Sequence, residues 1–152
     1  MALTLATTVG LGIAVPTSMS GPAPRRLVIR QQEPGDRVYR SVPIDSDDEV
    51  AMTWMHSVDK TPWWEYYRAD GDELVLDCTE LSLMGAGTPF EAPQTELDGD
   101  MIRLCGLDER FPAVRWIHSH RVHHRIYVNG ELLLPTRAIG HHVRAEMILI
   151  GD

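Results

Sequence analysis

Several features that define other classes of protein are scarce in this sequence. Lysine occurs once, at Lys60, and acidic residues outnumber basic residues by 22 to 14. No basic stripe interleaved with aromatic residues is present, so nucleic acid is not an expected partner. The acidic balance suits a protein from a high-salt or high-GC source, where acidic surfaces favour solubility. After residue 25, no stretch of ten or more residues has helical periodicity, which argues against a helical fold.

The only two cysteines, Cys78 and Cys105, form no CxxC or metal-type pattern. In an exported domain they could close a disulfide worth about 3 kcal/mol. Two unpaired buried thiols are the alternative that the sequence leaves open.

The first 24 residues differ in character from the rest. The stretch from Ala2 to Val15 is apolar and uncharged. A membrane span needs about 20 apolar residues and the core of a signal peptide about 7 to 15. We therefore expect residues 1–24 to be a signal-like or membrane-anchor segment with its linker, and residues 25–152 to form a single domain outside the cytoplasm. No positive residue precedes Arg25, so a buried strand or a tail of a cytosolic protein stays open as an alternative.

Short runs of alternating apolar and polar residues, separated by turn residues, dominate the remaining chain. They predict hairpins with turns at residues 33–36, 70–72 and 129–130. Asn129-Gly130 is the strongest of these signals, because both residues readily adopt the positive φ angles of a type I′ turn. Residues 90–99 are expected to be a loop. The fold class indicated is all-β, an antiparallel β-sandwich or a partly open barrel with about eight to ten strands.

The densest group of functional residue types lies between residues 56 and 68, where one strand ends, turns and leads into the next. Strand alternation places Trp63, Glu65 and Tyr67 on one face. A carboxylate framed by aromatic rings is typical of small-ligand sites. We expect ligand or partner contacts from a set of polar residues in this region: His56, Ser57, Thr61, Glu65 and Arg68. The alternative is that the aromatic residues are core and the polar ones bond neighbouring backbone.

Catalysis is less favoured than binding. His56 and Ser57 are adjacent, so in a strand they point to opposite faces and cannot act as base and nucleophile. Gly85 and Gly87 follow a long strand and could present backbone amides to an anion, although simple turn formation explains them equally. No cofactor motif is present.

Six of the seven histidines lie in the last third of the chain. In a strand, His118 and His120 would share a face, and His123 or His124 could add a third ligand to a metal. The spacing matches no strong zinc pattern, so hydrogen-bonding surface histidines are the main expectation. A metal-binding protein or metal-dependent enzyme remains an alternative, as does a structural envelope domain.

Three groups of residues resemble a small family known as domain of unknown function 1850. They are Trp54-Met55-His56-Ser57-Val58 with Thr61-Pro62 and Glu65, then Gly85-Ala86-Gly87-Thr88-Pro89, and more loosely the hairpin from His124 to Gly130. The resemblance implies an exported accessory part of a TRAP-type solute importer of the TAXI class. It implies contacts with the membrane or solute-binding subunits and a small organic acid as ligand, and it adds His124 to the contact residues. It implies no reaction.

Overall fold

The computed structural model describes residues 25–33, 37–82 and 92–151. These ranges fold as antiparallel β-structure with one short 3-10 helix, so the all-β prediction is confirmed. Within them, no helix has the length and apolar character of a membrane span. The strands are β1 (Arg25–Gln31), β2 (Val38–Ile44), β3 (Val50–Met55), β4 (Pro62–Asp70), β5 (Glu73–Ser82), β6 (Gln94–Asp98), β7 (Met101–Phe111), β8 (Val114–Ile117), β9 (Arg125–Val128), β10 (Glu131–Leu134) and β11 (Arg144–Gly151), and the 3-10 helix is η1 (Thr136–Ala138).

The strands form two sheets. A small sheet has the order β2-β1-β11-β8, and a large sheet has the order β10-β9-β3-β4-β5-β7-β6. Their inward faces pack together as a β-sandwich, and alternation along the strands selects which side chains meet there. Leu27, Ile29 and Met147 come from the small sheet, and Val50 and Ile126 from the large one; all five are buried in one core cluster. Each such side chain contributes about 1.5–3 kcal/mol by leaving water.

The predicted hairpins are present wherever the structure describes them. β4 pairs with β5 and β9 with β10, and both are antiparallel neighbours. At the β9–β10 turn, Asn129 has φ 50° and Gly130 has φ 78°, as a type I′ turn requires. β1 pairs with β2, while residues 34–36 of their connection lie outside the described residues.

One prediction was wrong: residues 94–98 form a strand and not a loop. β6 pairs along β7 at the edge of the large sheet, and all five of its residues are exposed. Because neither face is buried, the strand lacks the alternation of apolar residues by which strands are predicted. Gly99, with φ 58°, allows the tight turn into β7.

The chain passes from one sheet to the other at residues 112–113, between β7 and β8. It returns through residues 118–124, which lead into β9. The return loop is held at both ends, since Val122 O accepts from Met55 N–H at 2.7 Å and Val143 O accepts from His118 N–H at 2.7 Å. These crossings bring β8 and the residues after it next to the inward face of β3 and β4.

Cys78 and Cys105 form a disulfide that joins directly opposite positions of β5 and β7. Of the two alternatives, the paired state is the one observed. The bond joins the fifth and sixth of the seven strands of the large sheet, across a sequence separation of 27 residues.

Replacing both cysteines with serine should lower the free energy of unfolding by about 3 kcal/mol, because the open chain gains conformational entropy when it unfolds. Urea unfolding followed by tryptophan fluorescence measures the change. Reductant provides the control. It should lower the urea midpoint of the native protein and leave that of the serine variant unchanged. A native protein whose midpoint is insensitive to full reduction would contradict the prediction.

Candidate functional site

Glu65 lies on the inward face of the large sheet, beside aromatic side chains. It is directly opposite Met52 on β3, and the next inward pair along the two strands is Trp54 and Trp63. These two indoles stack with ring centroids 5.7 Å apart. Alternation along β4 therefore places the carboxyl group as predicted, on the face that carries Trp63 and Tyr67.

The small sheet and the return loop complete a cavity around this carboxyl group. Its volume is about 240 Å³. We call it the intersheet cavity, and its lining residues are Met52, Trp54, Glu65, Val114, Arg115, Trp116 and His124. Two sites predicted separately, Glu65 and His124, are thus brought together although 59 positions separate them in the chain.

Burial is the main influence on Glu65. It raises the pKa of the carboxyl group, and the negative charge of Glu109 raises it further. The hydroxyl of Tyr67 donates a hydrogen bond to Glu65 Oε2, which opposes the rise without cancelling it. Burial also raises the pKa of Tyr67, so the phenol stays a donor. The pKa of the Glu65 carboxyl group is therefore higher than that of an exposed glutamate, and its protonated form persists to a higher pH.

His124 is driven to its neutral form by the same cause. Burial, with a smaller contribution from neighbouring His118, lowers the pKa of His124 to about 4. Its Nδ1 accepts a hydrogen bond from Ser119 N–H at 3.0 Å, so the single proton of the neutral ring resides on Nε2. The ring lies against Trp54, with centroids 6.1 Å apart. His124 thus supplies one N–H donor.

Five histidines, which we call the histidine corner, lie where the return loop meets the segment before β11. Neighbouring rings are 3.8 to 5.8 Å apart between centroids. The members are His118, His120, His124, His141 and His142.

The ring nitrogens of the histidine corner are largely committed to other bonds. His118 bonds Thr136 O through Nε2 at 2.7 Å and accepts from Trp116 Nε1–H at Nδ1. His120 bonds Ile139 O through Nε2 at 2.8 Å. Within the described ranges, no three His, Cys, Asp or Glu side chains are grouped so as to hold a metal ion. The proposed ligand set of His118, His120 and His123 is therefore not assembled by this fold, and His118 instead joins β8 to η1.

Other predicted contact residues lie at the turn between β3 and β4. His56 Nδ1 is 2.9 Å from Asp59 Oδ2, and the His56 ring contacts Trp63, whose indole stacks on Trp54. His56 N–H donates to Thr61 O at 2.8 Å, which closes the turn. Ser57 is exposed and its carbonyl accepts a bond from the Lys60 ammonium. These residues form a surface turn that is joined to the intersheet cavity through stacked rings.

Arg68 lies elsewhere. Its guanidinium pairs with Asp108 at 2.9 Å and with Asp70 at 3.5 Å, away from the residues that line the intersheet cavity. Gly85 and Gly87 lie outside the described residues.

Sequence reasoning missed Trp54, Arg115 and Trp116 as cavity residues. β8 is only four residues long and follows Pro112, so no local pattern indicates that the chain changes sheets there. Once the crossing is known, alternation alone places Val114 and Trp116 on one face.

The intersheet cavity combines aromatic walls with a few polar groups. None of its described lining residues carries a hydroxyl or thiol nucleophile. They offer two indole walls, one N–H donor and one carboxyl group, a combination that orients a small polar molecule.

Replacing Glu65 with glutamine should stabilise the protein at about pH 7 and change little at about pH 4. The pKa of Glu65 is higher in the native protein than in the unfolded chain. Protonation of Glu65 therefore contributes to the free energy of unfolding in full below the unfolded pKa, and this contribution is lost as pH rises through the native pKa. Glutamine has no charge to bury and keeps an acceptor for Tyr67. Each unit of separation between the two pKa values contributes about 1.4 kcal/mol.

Urea unfolding across this pH range measures the effect of the Glu65 substitution. The matched control is Glu96→Gln, in which the same change is made at an exposed position of β6. Parallel pH profiles for the two variants would contradict the prediction.

Replacing His124 with asparagine should reduce the loss of stability in acid. The native pKa of about 4 lies below the unfolded value of 6.5, so the unfolded chain takes up a proton first as pH falls. The contribution of neutral His124 to the free energy of unfolding is therefore complete above about pH 6.5, and about 3 kcal/mol of stability is lost by about pH 4. Asparagine keeps an acceptor for Ser119 N–H. His123→Asn, at an exposed histidine, is the control and should retain the native acid sensitivity.

Comparison with known proteins gives a family for the chain. No curated protein and no solved structure matches it significantly. The model of one family, described as "Domain of unknown function (DUF1850)", matches residues 50–133, which is more than half of the 152 residues. The match runs from the start of β3 into β10 and includes every lining residue of the intersheet cavity. The chain therefore belongs to this family of domains of unknown function.

Proposed function

We propose that this domain acts outside the cytoplasmic membrane as a ligand-binding accessory component of a TRAP-type solute importer of the TAXI class. The observation that carries the proposal is the convergence of Glu65 and His124 in one cavity lined by two indoles. The ligand that suits it is a small organic acid.

Two polar groups divide the recognition of such an acid. Arg115 adds no charge to the cavity, because its guanidinium bonds Glu146 on the outer face of the small sheet. His124 Nε2–H can donate to a carboxyl, ketone or hydroxyl oxygen. Glu65, protonated or not, can accept from a hydroxyl group. The indoles of Trp54 and Trp116 supply apolar walls for the carbon skeleton.

Two features support a site of action outside the cytoplasm. The disulfide between Cys78 and Cys105 suits an oxidising compartment. The apolar stretch from Ala2 to Val15 suits an export signal or an anchor.

The partner contact that we propose is the turn between β3 and β4. Val58 at this turn is 70% exposed, which is a large exposure for an apolar side chain, and His56, Ser57 and Thr61 surround it in sequence. An apolar residue flanked by polar ones is typical of the centre of a small protein contact. The resemblance to the family supports the membrane or solute-binding subunits of the importer as the partners.

Small organic acids should raise the melting temperature of the native protein, because a ligand that binds only the folded state stabilises it. A panel of monocarboxylic, dicarboxylic, 2-oxo and 2-hydroxy acids, measured by thermal shift and then by calorimetry, identifies the class. Glu65→Gln combined with His124→Asn should weaken binding by about tenfold or more, since each lost hydrogen bond is worth about 0.5–1.5 kcal/mol. Arg68→Gln, outside the cavity, should bind as the native protein does. If no acid binds, the domain is assigned a structural role instead.

Val58→Asp should abolish co-purification of the domain with the importer subunits, because a buried unpaired charge opposes association. The matched control is Leu97→Asp, which makes the same change at an apolar residue that is 66% exposed on β6. Both variants should bind organic acids normally. If both variants co-purify the importer subunits equally well, the turn is not the contact.

A further inference from the structure

The small sheet carries a charge opposite to that of the whole chain. Its four strands hold six of the fourteen basic residues but only one of the 22 acidic residues. The chain as a whole has a net charge of −8. Four of these six, Arg26, Arg30, Arg115 and Arg144, alternate with inward-facing residues and so lie on the outer face, where they create a local positive potential on an acidic protein.

A row of three charged residues lies across the outer face of this sheet. Glu146 alternates with core residues Ala145 and Met147, so its side chain emerges on the outer face. Arg30 and Arg115 are its direct neighbours on β1 and β8, and their Nε atoms bond its two carboxylate oxygens at 2.8 and 2.9 Å. Burial alone would raise the pKa of Glu146, but the bonds from Arg115 and Arg30 lower it. The carboxylate therefore stays ionised and holds both guanidinium groups in place.

This row lines a cavity of about 350 Å³ on the outer face, together with Gln32, Glu33 and Arg144. Both bonds to Glu146 use Nε, so the Nη nitrogens of Arg30 and Arg115 are not consumed by it. Among the described residues, none forms a hydrogen bond or ion pair with the Arg144 guanidinium. Three guanidinium groups around one cavity match the chemistry of a phosphate group.

Apolar side chains flank the arginines on the same face. Ile117 follows Arg115 by two residues and is 61% exposed, and Ile150 follows Glu146 by four residues and is 42% exposed. Arg26, opposite Ile150, extends the basic surface along β1. Exposed isoleucines interspersed with arginines are typical of surfaces that rest on a membrane, where the apolar groups enter the interface and the cations meet lipid phosphates.

We propose that the outer face of the small sheet docks on an anionic membrane surface, with a lipid phosphate held by Arg30, Arg115 and Arg144. Charge complementarity and the exposed isoleucines carry this assignment. β1 also follows directly on residues 1–24, so a membrane-inserted N-terminal segment would bring this sheet closest to the bilayer. The docking face lies on the far side of the small sheet from the core and does not depend on the proposed ligand.

Vesicle flotation with the full chain tests the proposal. Vesicles of phosphatidylcholine alone measure any binding by the apolar N-terminal stretch, and vesicles that also contain phosphatidylglycerol measure the added electrostatic binding. We expect the anionic vesicles to retain more protein, and about 1 M salt to abolish the difference because the Debye length then falls to about 3 Å. Arg26→Gln with Arg144→Gln should lower the anionic partition coefficient about 30-fold, since each arginine near such a surface contributes about fivefold. Neither residue holds Glu146, so the variant should fold.

The control variant is Arg103→Gln with Arg125→Gln, which removes the same charge from the large sheet. It should partition as the native protein does. If both double variants lower the partition coefficient equally, the effect reflects net charge alone and the proposal is overturned. Equal binding of the native protein to neutral and anionic vesicles would also overturn it. Polyglutamate serves as a soluble acidic competitor. If it binds the native protein more tightly than the vesicles do, and the Arg26→Gln, Arg144→Gln variant loses that binding, the face binds an acidic protein partner. That result would overturn the membrane assignment. Organic-acid binding should be unchanged in every one of these variants.

Discussion

The contact between the inward faces of the two sheets is the constraint on which the rest of the molecule depends. Leu27, Ile29 and Met147 can leave water only against Val50 and Ile126 of the other sheet. Once the sheets are packed, β7 and β8 must belong to different sheets, and the loop that returns to β9 must close the end of the sandwich. The intersheet cavity exists because that closure leaves space between β4 and β8.

Burial has opposite effects on the pKa values of the two titratable groups of this cavity, and both shifts are toward the uncharged form. It raises the pKa of Glu65 and lowers that of His124. Desolvation explains both directions, since a buried charge loses its hydration and regains that energy only where its bonding is complete. Recognition in the cavity therefore rests on hydrogen bonds.

The sequence allowed the local structure and one half of the site to be predicted. Asn129-Gly130 specified its own turn, and period-two alternation was sufficient to place Glu65 between aromatic residues on an inward face. Assembly was beyond such reasoning. The presence of His124 in the same cavity as Glu65 depends on a sheet crossing at residues 112–113 that leaves no periodic signal, and β6 has no buried face to mark it. The bond from His118 to Thr136 depends on a contact between separate segments for the same reason.

The two sheets also differ in what they share with the family. The matched residues 50–133 contain nearly all of the large sheet and β8, whereas β1, β2 and β11 lie outside the match. The intersheet cavity lies wholly within the matched part, while Arg26, Arg30 and Arg144 of the basic face lie outside it. A cavity formed by the matched strands and a charged face formed mainly by the others are physically separable, because Glu146 fixes the arginines without contributing to the cavity lining. Arg115 belongs to β8, which borders the cavity, but its guanidinium is part of the charged face.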